Sequence, residues 1–122
     1  MKQYTTNEQT AKLIELGVEM PKSISGYIET LCSPIFTKQD FSSKSPIYDY
    51  SIGELIGILP KKVTNRAGRT AILQMTCYQG VWRVKYAGAP DMWLTMNEEL
   101  IDALYDTLVE VKTNAKEYGY EL

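Results

Sequence analysis

A short central stretch of the chain has apolar residues at the spacing of a buried helix face. Ser51 and Glu54 form the S-x-x-E pattern of a capping box, in which each side chain accepts from the other residue's backbone N–H. Pro60 cannot continue helical hydrogen bonding, so the helix is predicted to end near Leu59. The apolar stripe, spaced i, i+3, i+4 and i+7, consists of Ile52, Leu55, Ile56 and Leu59.

Two further stretches predict helices. Thr6 and Gln9 form a second capping box, and a helix is expected from there to Leu16, with Gly17 ending it. The C-terminal helix is the longest, predicted to begin at a Thr95 cap, with Asn97 as the competing cap, and to extend to about residue 116. Its apolar stripe contains Leu100, Ile101, Leu104, Tyr105, Leu108, Val111 and Ala115.

Between these helices the pattern changes to alternation with a period of two, which predicts an antiparallel hairpin around Gln79-Gly80. The register pairs Cys77 with Trp82, Met75 with Val84 and Leu73 with Tyr86, all on one buried face. On that face Cys77 is interpreted as a small core residue rather than a nucleophile. The other face is mixed and mostly polar, and contains Ile72, Gln74, Thr76, Tyr78, Val81, Arg83 and Lys85. Residues 92–94 are expected to add a short third strand.

Residues 22–49 show no clear periodicity, because serines and two prolines are scattered among apolar residues. Residues 27–32 are a candidate strand, and residues 41–46 are expected to form an exposed turn. The segment is too apolar for a disordered linker. Long irregular segments are uncommon in compact domains unless they are functional. A binding role and a surface elaboration both remain open for it.

These elements predict a two-layer α+β fold and a single domain over residues 1–122. A small antiparallel β-meander packs against the long C-terminal helix, and two shorter helices belong to the N-terminal half. A small sheet leaves edge strands and uncovered apolar surface. Such surface often becomes a homodimer interface or a partner site.

Composition narrows the class of protein further. The 122 residues are 44% hydrophobic and 23% charged with a net charge of −2, which is ordinary for a soluble protein. No apolar run is long enough to span a membrane, and the N-terminus lacks the apolar core of a signal peptide. We therefore expect a cytoplasmic protein without a membrane partner.

The chain contains no histidine and only two cysteines, Cys32 and Cys77. Without histidine, Ser-His-Asp and Cys-His catalysis are excluded, and two cysteines alone cannot complete a zinc site. In a reducing compartment the cysteines are expected to be free thiols. We therefore predict no catalytic residue, no cofactor and no metal. An enzyme would have to use carboxylates, lysine, tyrosine or a borrowed cofactor.

Three segments resemble one family. They are Tyr-Ser-Ile-Gly-Glu-Leu-Ile-Gly-Ile-Leu-Pro at 50–60, Glu-Gln-Thr-Ala-Lys-Leu-Ile-Glu-Leu-Gly at 8–17, and Glu-Leu-Ile-Asp-Ala-Leu-Tyr-Asp at 99–106. Together they are similar to short proteins of prophages and mobile elements of gut bacteria, a family with no assigned activity. The resemblance implies a phage or mobile-element protein, and it implies no functional residues.

Two groups of residues are candidate binding sites. The first is a protein-partner surface made of Tyr27, Phe41, Tyr78, Arg83 and Lys85. The second is a basic segment at residues 61–69, whose Lys61, Lys62, Arg66 and Arg69 are candidates for nucleic-acid contact. That segment lacks interleaved aromatic residues and is not a Walker loop, so a solvated connection is the competing interpretation.

Asp102, Asp106 and Glu110 recur every four residues on the C-terminal helix. A straight helix spreads them over about 12 Å, which is too far for one cation, so we interpret them as a solvated face.

Three functional hypotheses follow. The favoured one is a non-enzymatic accessory or interaction protein of a phage or mobile element, which acts through contacts with an unknown protein partner or with a second copy of itself. The alternative is a nucleic-acid-binding module that uses the basic segment at residues 61–69. The third hypothesis is a histidine-free enzyme, which requires paired carboxylates or a desolvated lysine in a pocket.

Overall fold

The protein has an α+β fold in which its strands form two separate antiparallel sheets, and the predicted fold class is confirmed. The computed structural model describes residues 2–32, 41–64, 67–88 and 92–114. The helices and strands of this part are α1 (Asn7–Glu15), β1 (Ser23–Cys32), β2 (Phe41–Asp49), α2 (Ile52–Ile58), β3 (Lys62–Thr64), β4 (Thr70–Tyr78), β5 (Val81–Ala87), β6 (Met92–Asn97) and α3 (Leu100–Asn114). None of these helices is long and apolar enough to cross a membrane.

The first two helices begin as predicted. The Thr6 hydroxyl accepts from the Gln9 N–H at 3.1 Å, and the Gln9 side chain accepts from the Thr6 N–H at 2.9 Å. The Ser51 hydroxyl and the Glu54 carboxylate complete the same reciprocal pair at α2, at 3.1 and 3.4 Å. Gly17 follows α1 with a φ of 89°, the left-handed conformation that glycine adopts without strain.

The predicted Thr95 cap of α3 is wrong. Thr95 lies inside β6, because pairing with β5 continues as far as the Trp82–Asn97 pair and keeps the chain extended. The competing candidate, Asn97, accepts from the Glu99 N–H at 2.9 Å, and the Ala103 N–H then bonds to the Glu99 carbonyl. The predicted end of α3 near residue 116 lies outside the described residues.

The β4–β5 hairpin has the predicted register. Gln79 and Gly80 have φ values of 51° and 77°, so both central residues of the turn are left-handed, as a two-residue type I′ turn requires. The predicted cross-strand pairs are all present, namely Leu73–Tyr86, Met75–Val84, Cys77–Trp82 and Tyr78–Val81. The meander is larger than predicted, because β3 pairs with β4 and makes the sheet four-stranded.

The core lies between this sheet and helices α2 and α3. Helix α3 packs mainly on β6 and also contacts α2 and β5. Val84 and Tyr86 are fully buried, and the Tyr86 hydroxyl donates to the Pro60 carbonyl at 2.7 Å. Cys77 is exposed, so its interpretation as a core residue is wrong. Because α3 lies over β5 and β6, the inner face of β4 is less covered towards the turn, and Met75 is only half-buried there.

Residues 22–49 are more regular than predicted. Strands β1 and β2 pair along their length as a two-stranded hairpin, which we call the arm, with a β-bulge between Ile24 and Gly26. The candidate strand at residues 27–32 is confirmed as part of β1. The turn expected at residues 41–46 is wrong, because these residues form β2. The serines of β2 pair across the arm rather than marking a loop, which is why composition misled the prediction.

The base of the arm is fixed by a buried polar cluster around Asp49. The Asp49 carboxylate accepts from the Thr10 hydroxyl of α1 and from the Ser25 hydroxyl of β1, the latter at 2.6 Å. The Thr5 and Thr10 hydroxyls are 2.8 Å apart, and the Tyr50 N–H donates to Thr5 at 3.0 Å. This cluster joins the N-terminal segment, α1 and the arm.

Candidate functional site

The face of the four-stranded sheet that points away from α3 is a candidate interaction surface, and we call it the outer face. Strand register and alternation assign its members. They are Lys62 and Thr64 of β3, Thr70, Ile72, Gln74, Thr76 and Tyr78 of β4, Val81, Arg83, Lys85 and Ala87 of β5, and Leu94 and Met96 of β6.

Four large apolar or aromatic side chains of the outer face are more than half exposed. The exposed fractions are 61% for Ile72, 54% for Leu94, 55% for Met96 and 67% for Tyr78. Single exposed apolar residues are ordinary on a protein surface, but several on one sheet face indicate an interaction surface.

A cationic side chain lies on the strand beside each exposed aliphatic residue of the outer face. Lys62 pairs directly with Ile72 across β3 and β4, and Arg83 pairs directly with Met96 across β5 and β6. Directly paired residues have Cβ atoms about 4.5–5.5 Å apart. Lys85 lies opposite the β-bulge that contains Leu94. Apolar and cationic side chains therefore alternate across the face.

The β5–β6 register directs Leu94 outward, and a β-bulge in β6 lies next to it. Val84 pairs with Thr95 and Tyr86 pairs with Met92, so two residues of β6, Trp93 and Leu94, oppose Lys85 alone. Trp93 takes a left-handed φ of 53° and packs its ring on Tyr86. Because Arg83 pairs with Met96 and Val84 pairs with Thr95, alternation places Leu94 on the outer face and Thr95 towards α3.

Charge is segregated along the sequence and between the two layers. Residues 55–90 contain six basic side chains and no acidic one, whereas the rest of the chain contains seven basic and fifteen acidic residues. Among the described residues, Lys62 and Arg83 have no carboxylate partner. Asp106 and Glu110 are exposed on α3, on the opposite layer. The outer face is therefore positive on a protein of net charge −2.

The predicted partner residues divide between two surfaces. Tyr78, Arg83 and Lys85 lie together on the outer face, as their alternation predicted. Tyr27 is exposed on the arm, and Phe41 begins β2, where it pairs with Cys32. The side chain of Phe41 lies outside the described residues. The structure therefore does not bring all five residues into one site.

The predicted nucleic-acid contacts also separate. The Lys61 ammonium donates to the Ile56 carbonyl at 3.0 Å, at the end of α2. Lys62 belongs to β3 and joins Arg83 on the outer face. Arg69 is exposed immediately before β4, and Arg66 lies outside the described residues. The part of this segment that the structure describes is therefore partly a strand rather than one exposed loop.

The described residues offer no metal site. No cluster of three or more cysteine or carboxylate side chains that could hold an ion occurs among them.

Asp102 accepts from Lys2 at 2.9 Å and from Gln9 at 2.8 Å. Burial alone would raise the pKa of Asp102, but these bonds and the Lys2 charge lower it below its ordinary value. For Asp106, burial and the charges of Asp102 and Glu110 raise the pKa. Asp102 thus anchors the N-terminal segment instead of completing an acidic site.

Comparison with protein-family models, curated proteins and solved structures gives no significant match to this chain. The outer face is therefore identified as a candidate site from its exposed side chains and strand register alone. Sequence reasoning missed Leu94 and Met96, because a helix cap at Thr95 ended the predicted strand too early. One feature of the sequence points to them, the alternation of apolar and polar residues from 94 to 97.

Proposed function

We propose that this protein is a non-enzymatic interaction protein that binds a protein partner through the outer face. The observation that carries the proposal is the exposure of Ile72, Leu94 and Met96 on one side of the sheet. Burial of apolar surface stabilises an interface by about 25 cal/mol per Å² before the cost of association is subtracted. A partner that covers these side chains gains this free energy.

The chemistry of the outer face favours a protein over a nucleic acid as the partner. Surfaces that bind single strands use several aromatic rings on which bases stack. Among the described residues of this face, Tyr78 is the only aromatic side chain, and the other exposed apolar side chains are aliphatic. The resemblance of three segments to prophage and mobile-element proteins supports assigning the protein to such an element, with its partner in the cytoplasm of the host.

The proposal is tested by capture of the partner with a matched pair of variants. Met96→Asp places a charge on the outer face, whereas Met20→Asp makes the same change at a residue that is 66% exposed after α1. We expect immobilised wild-type protein and Met20→Asp to retain one stoichiometric protein from nuclease-treated host lysate. Met96→Asp should lose it. Equal retention by both variants, or no retained protein, would contradict the proposal.

A nucleic-acid-binding module is the second candidate, because Lys62, Arg83 and Lys85 lie on a face without described carboxylates. Binding through phosphates releases counterions, so the affinity should fall steeply with salt. Fluorescence anisotropy with a labelled single strand and a labelled duplex tests it at low and moderate salt. No binding at low salt excludes this function, and salt-sensitive binding abolished by Arg83→Glu would replace the first proposal.

A further inference from the structure

We infer that the partner segment that occupies the outer face is acidic as well as apolar, with carboxylates placed beside its apolar side chains. This inference rests on the proposed function and specifies the partner's chemistry. It follows from the pairing of exposed aliphatic side chains with cations on neighbouring strands, not from the net charge of the protein, which is negative.

A partner that covers the exposed apolar side chains must also cover the cations paired with them, as the position of Arg83 shows. Arg83 and Met96 are direct partners in the β5–β6 register and point to the same side. A partner that covers Met96 therefore also removes water from the Arg83 guanidinium. Covering Ile72 has the same consequence for Lys62, its direct partner across β3 and β4.

These cations cannot be left unpaired without a cost in free energy. A charge removed from water is strongly unfavourable unless an opposite charge and hydrogen bonds replace the lost hydration. Within the described chain no carboxylate is paired with Lys62 or Arg83, and the sequence from residue 55 to residue 90 contains none. The partner must therefore supply the carboxylates.

The spacing of the apolar and cationic residues along β6 and β5 indicates the conformation of the partner segment. Leu94 and Met96 are two residues apart on one strand, so about 6.6–6.8 Å separates them. Arg83 and Lys85 have the same separation on the adjacent strand. An extended segment that runs between β5 and β6 and alternates acidic and apolar side chains directs the acidic ones to the β5 side, over the cations, and the apolar ones to the β6 side, over Leu94 and Met96. A phosphate backbone matches the cations but leaves the aliphatic side chains uncovered.

The test uses synthetic peptides as defined probes. One peptide alternates glutamate with leucine, a second alternates glutamine with leucine, and a third alternates glutamate with serine. A thymidine oligonucleotide is the fourth probe. Binding is followed by chemical-shift changes of the Ile72, Leu94 and Met96 methyl groups in the full chain. Arg83→Glu is compared with Lys12→Glu, a charge reversal at an exposed residue of α1.

We expect the glutamate–leucine peptide to shift these methyl resonances and to bind at least about tenfold more tightly than either control peptide, which is 1.4 kcal/mol. Arg83→Glu should weaken its binding at least about tenfold, and Lys12→Glu should not. Equal binding of the glutamine–leucine peptide overturns the inference, and so does preferred binding of the oligonucleotide or the glutamate–serine peptide. Absence of peptide binding also overturns it, while the proposed function is decided separately by capture with Met96→Asp and Met20→Asp.

Discussion

The ring of Trp93 meets the ring of Tyr86 edge to face, with centroids 5.5 Å apart and planes at 87°. The contact joins the bulge of β6 to the buried centre of β5. It holds Trp93 at a φ of 53°, which is strained for a residue with a bulky side chain. Packing therefore maintains the bulge in β6, next to the outward-facing Leu94.

This relationship predicts an unusual order of stability at position 93. Trp93→Ala and Trp93→Gly both lose the ring contact and should each lower the free energy of unfolding by about 3 kcal/mol. Glycine adopts the left-handed conformation without strain, so Trp93→Gly should be the more stable of the two by about 1 kcal/mol. Chemical denaturation of both variants measures the difference.

Trp82 provides the matched control, because it lies in β5 without a positive φ. There glycine weakens a strand relative to alanine by about 0.5–1 kcal/mol, so Trp82→Gly should be less stable than Trp82→Ala. If alanine is the more stable residue at both positions, the left-handed conformation of Trp93 is contradicted.

A second prediction concerns the buried hydroxyl of Thr10. This hydroxyl donates to Asp49 and lies 2.8 Å from the Thr5 hydroxyl, so it links the N-terminal segment to the arm. Thr10→Val keeps the shape but leaves a buried carboxylate oxygen with one donor fewer. We expect the free energy of unfolding to fall by about 1–3 kcal/mol.

Thr76→Val is the corresponding control on the outer face, where the side chain is exposed. It should change stability by less than about 0.5 kcal/mol. A Thr10→Val variant as stable as Thr76→Val would show that the Asp49 cluster does not fix the arm.

The local parts of the fold were predictable, and the parts that depend on distant pairing were not. The Thr6 and Ser51 capping boxes connect residues three apart, and the hairpin register follows from a two-residue turn. Strand β2 was missed because its serines are explained only by pairing with β1. Thr95 was misassigned because local cap chemistry and pairing with β5 compete for it, and pairing prevails.

The candidate site was half predictable for the same reason. Alternation along the hairpin assigned Tyr78, Arg83 and Lys85 to the open face without any knowledge of the neighbouring strands. The exposed Leu94 and Met96 complete the surface, and their direction follows from the pairing of Arg83 with Met96 and of Val84 with Thr95, which local cap chemistry at Thr95 does not reveal. The bulge itself pairs Met92 rather than Trp93 with Tyr86, and nothing in the local sequence around Trp93 specifies it.

Glu54 predicts how stability depends on pH. Burial alone would raise the pKa of Glu54, but hydrogen bonds from Ser23, Lys22 and Ser51 outweigh it and hold the pKa below its ordinary value of 4.5. A carboxyl whose pKa is lower in the folded state stabilises the protein above the unfolded pKa. This stabilisation is lost as the pH falls through the folded pKa.

We therefore expect Glu54→Gln to unfold more easily than wild type at pH 6, with a difference that shrinks below about pH 4.5. The difference in the free energy of unfolding is measured by urea denaturation between pH 3 and pH 7, which bracket the ordinary pKa of a carboxyl group. Lys22→Ala is the control, because it keeps the backbone N–H that donates to Glu54 at 2.9 Å. A difference between Glu54→Gln and wild type that does not change with pH would contradict the role of these hydrogen bonds.

The exposure of Cys77 gives the last prediction. Its partner across the hairpin, Trp82, is half-buried, but α3 packs on β5 and β6 and leaves the Cys77 thiol open to solvent. In a Cys32→Ser background, iodoacetamide should modify Cys77 in the native protein at a rate within about tenfold of the rate in the urea-unfolded chain. Cys77→Ser should change the free energy of unfolding by less than about 0.5 kcal/mol.

The buried control is Val84→Cys, made without the two native cysteines. It should react only after unfolding, because Val84 is fully buried on the same face. Slow modification of Cys77 that becomes fast on dilution would instead show that a second copy of the chain covers the turn end of the inner face.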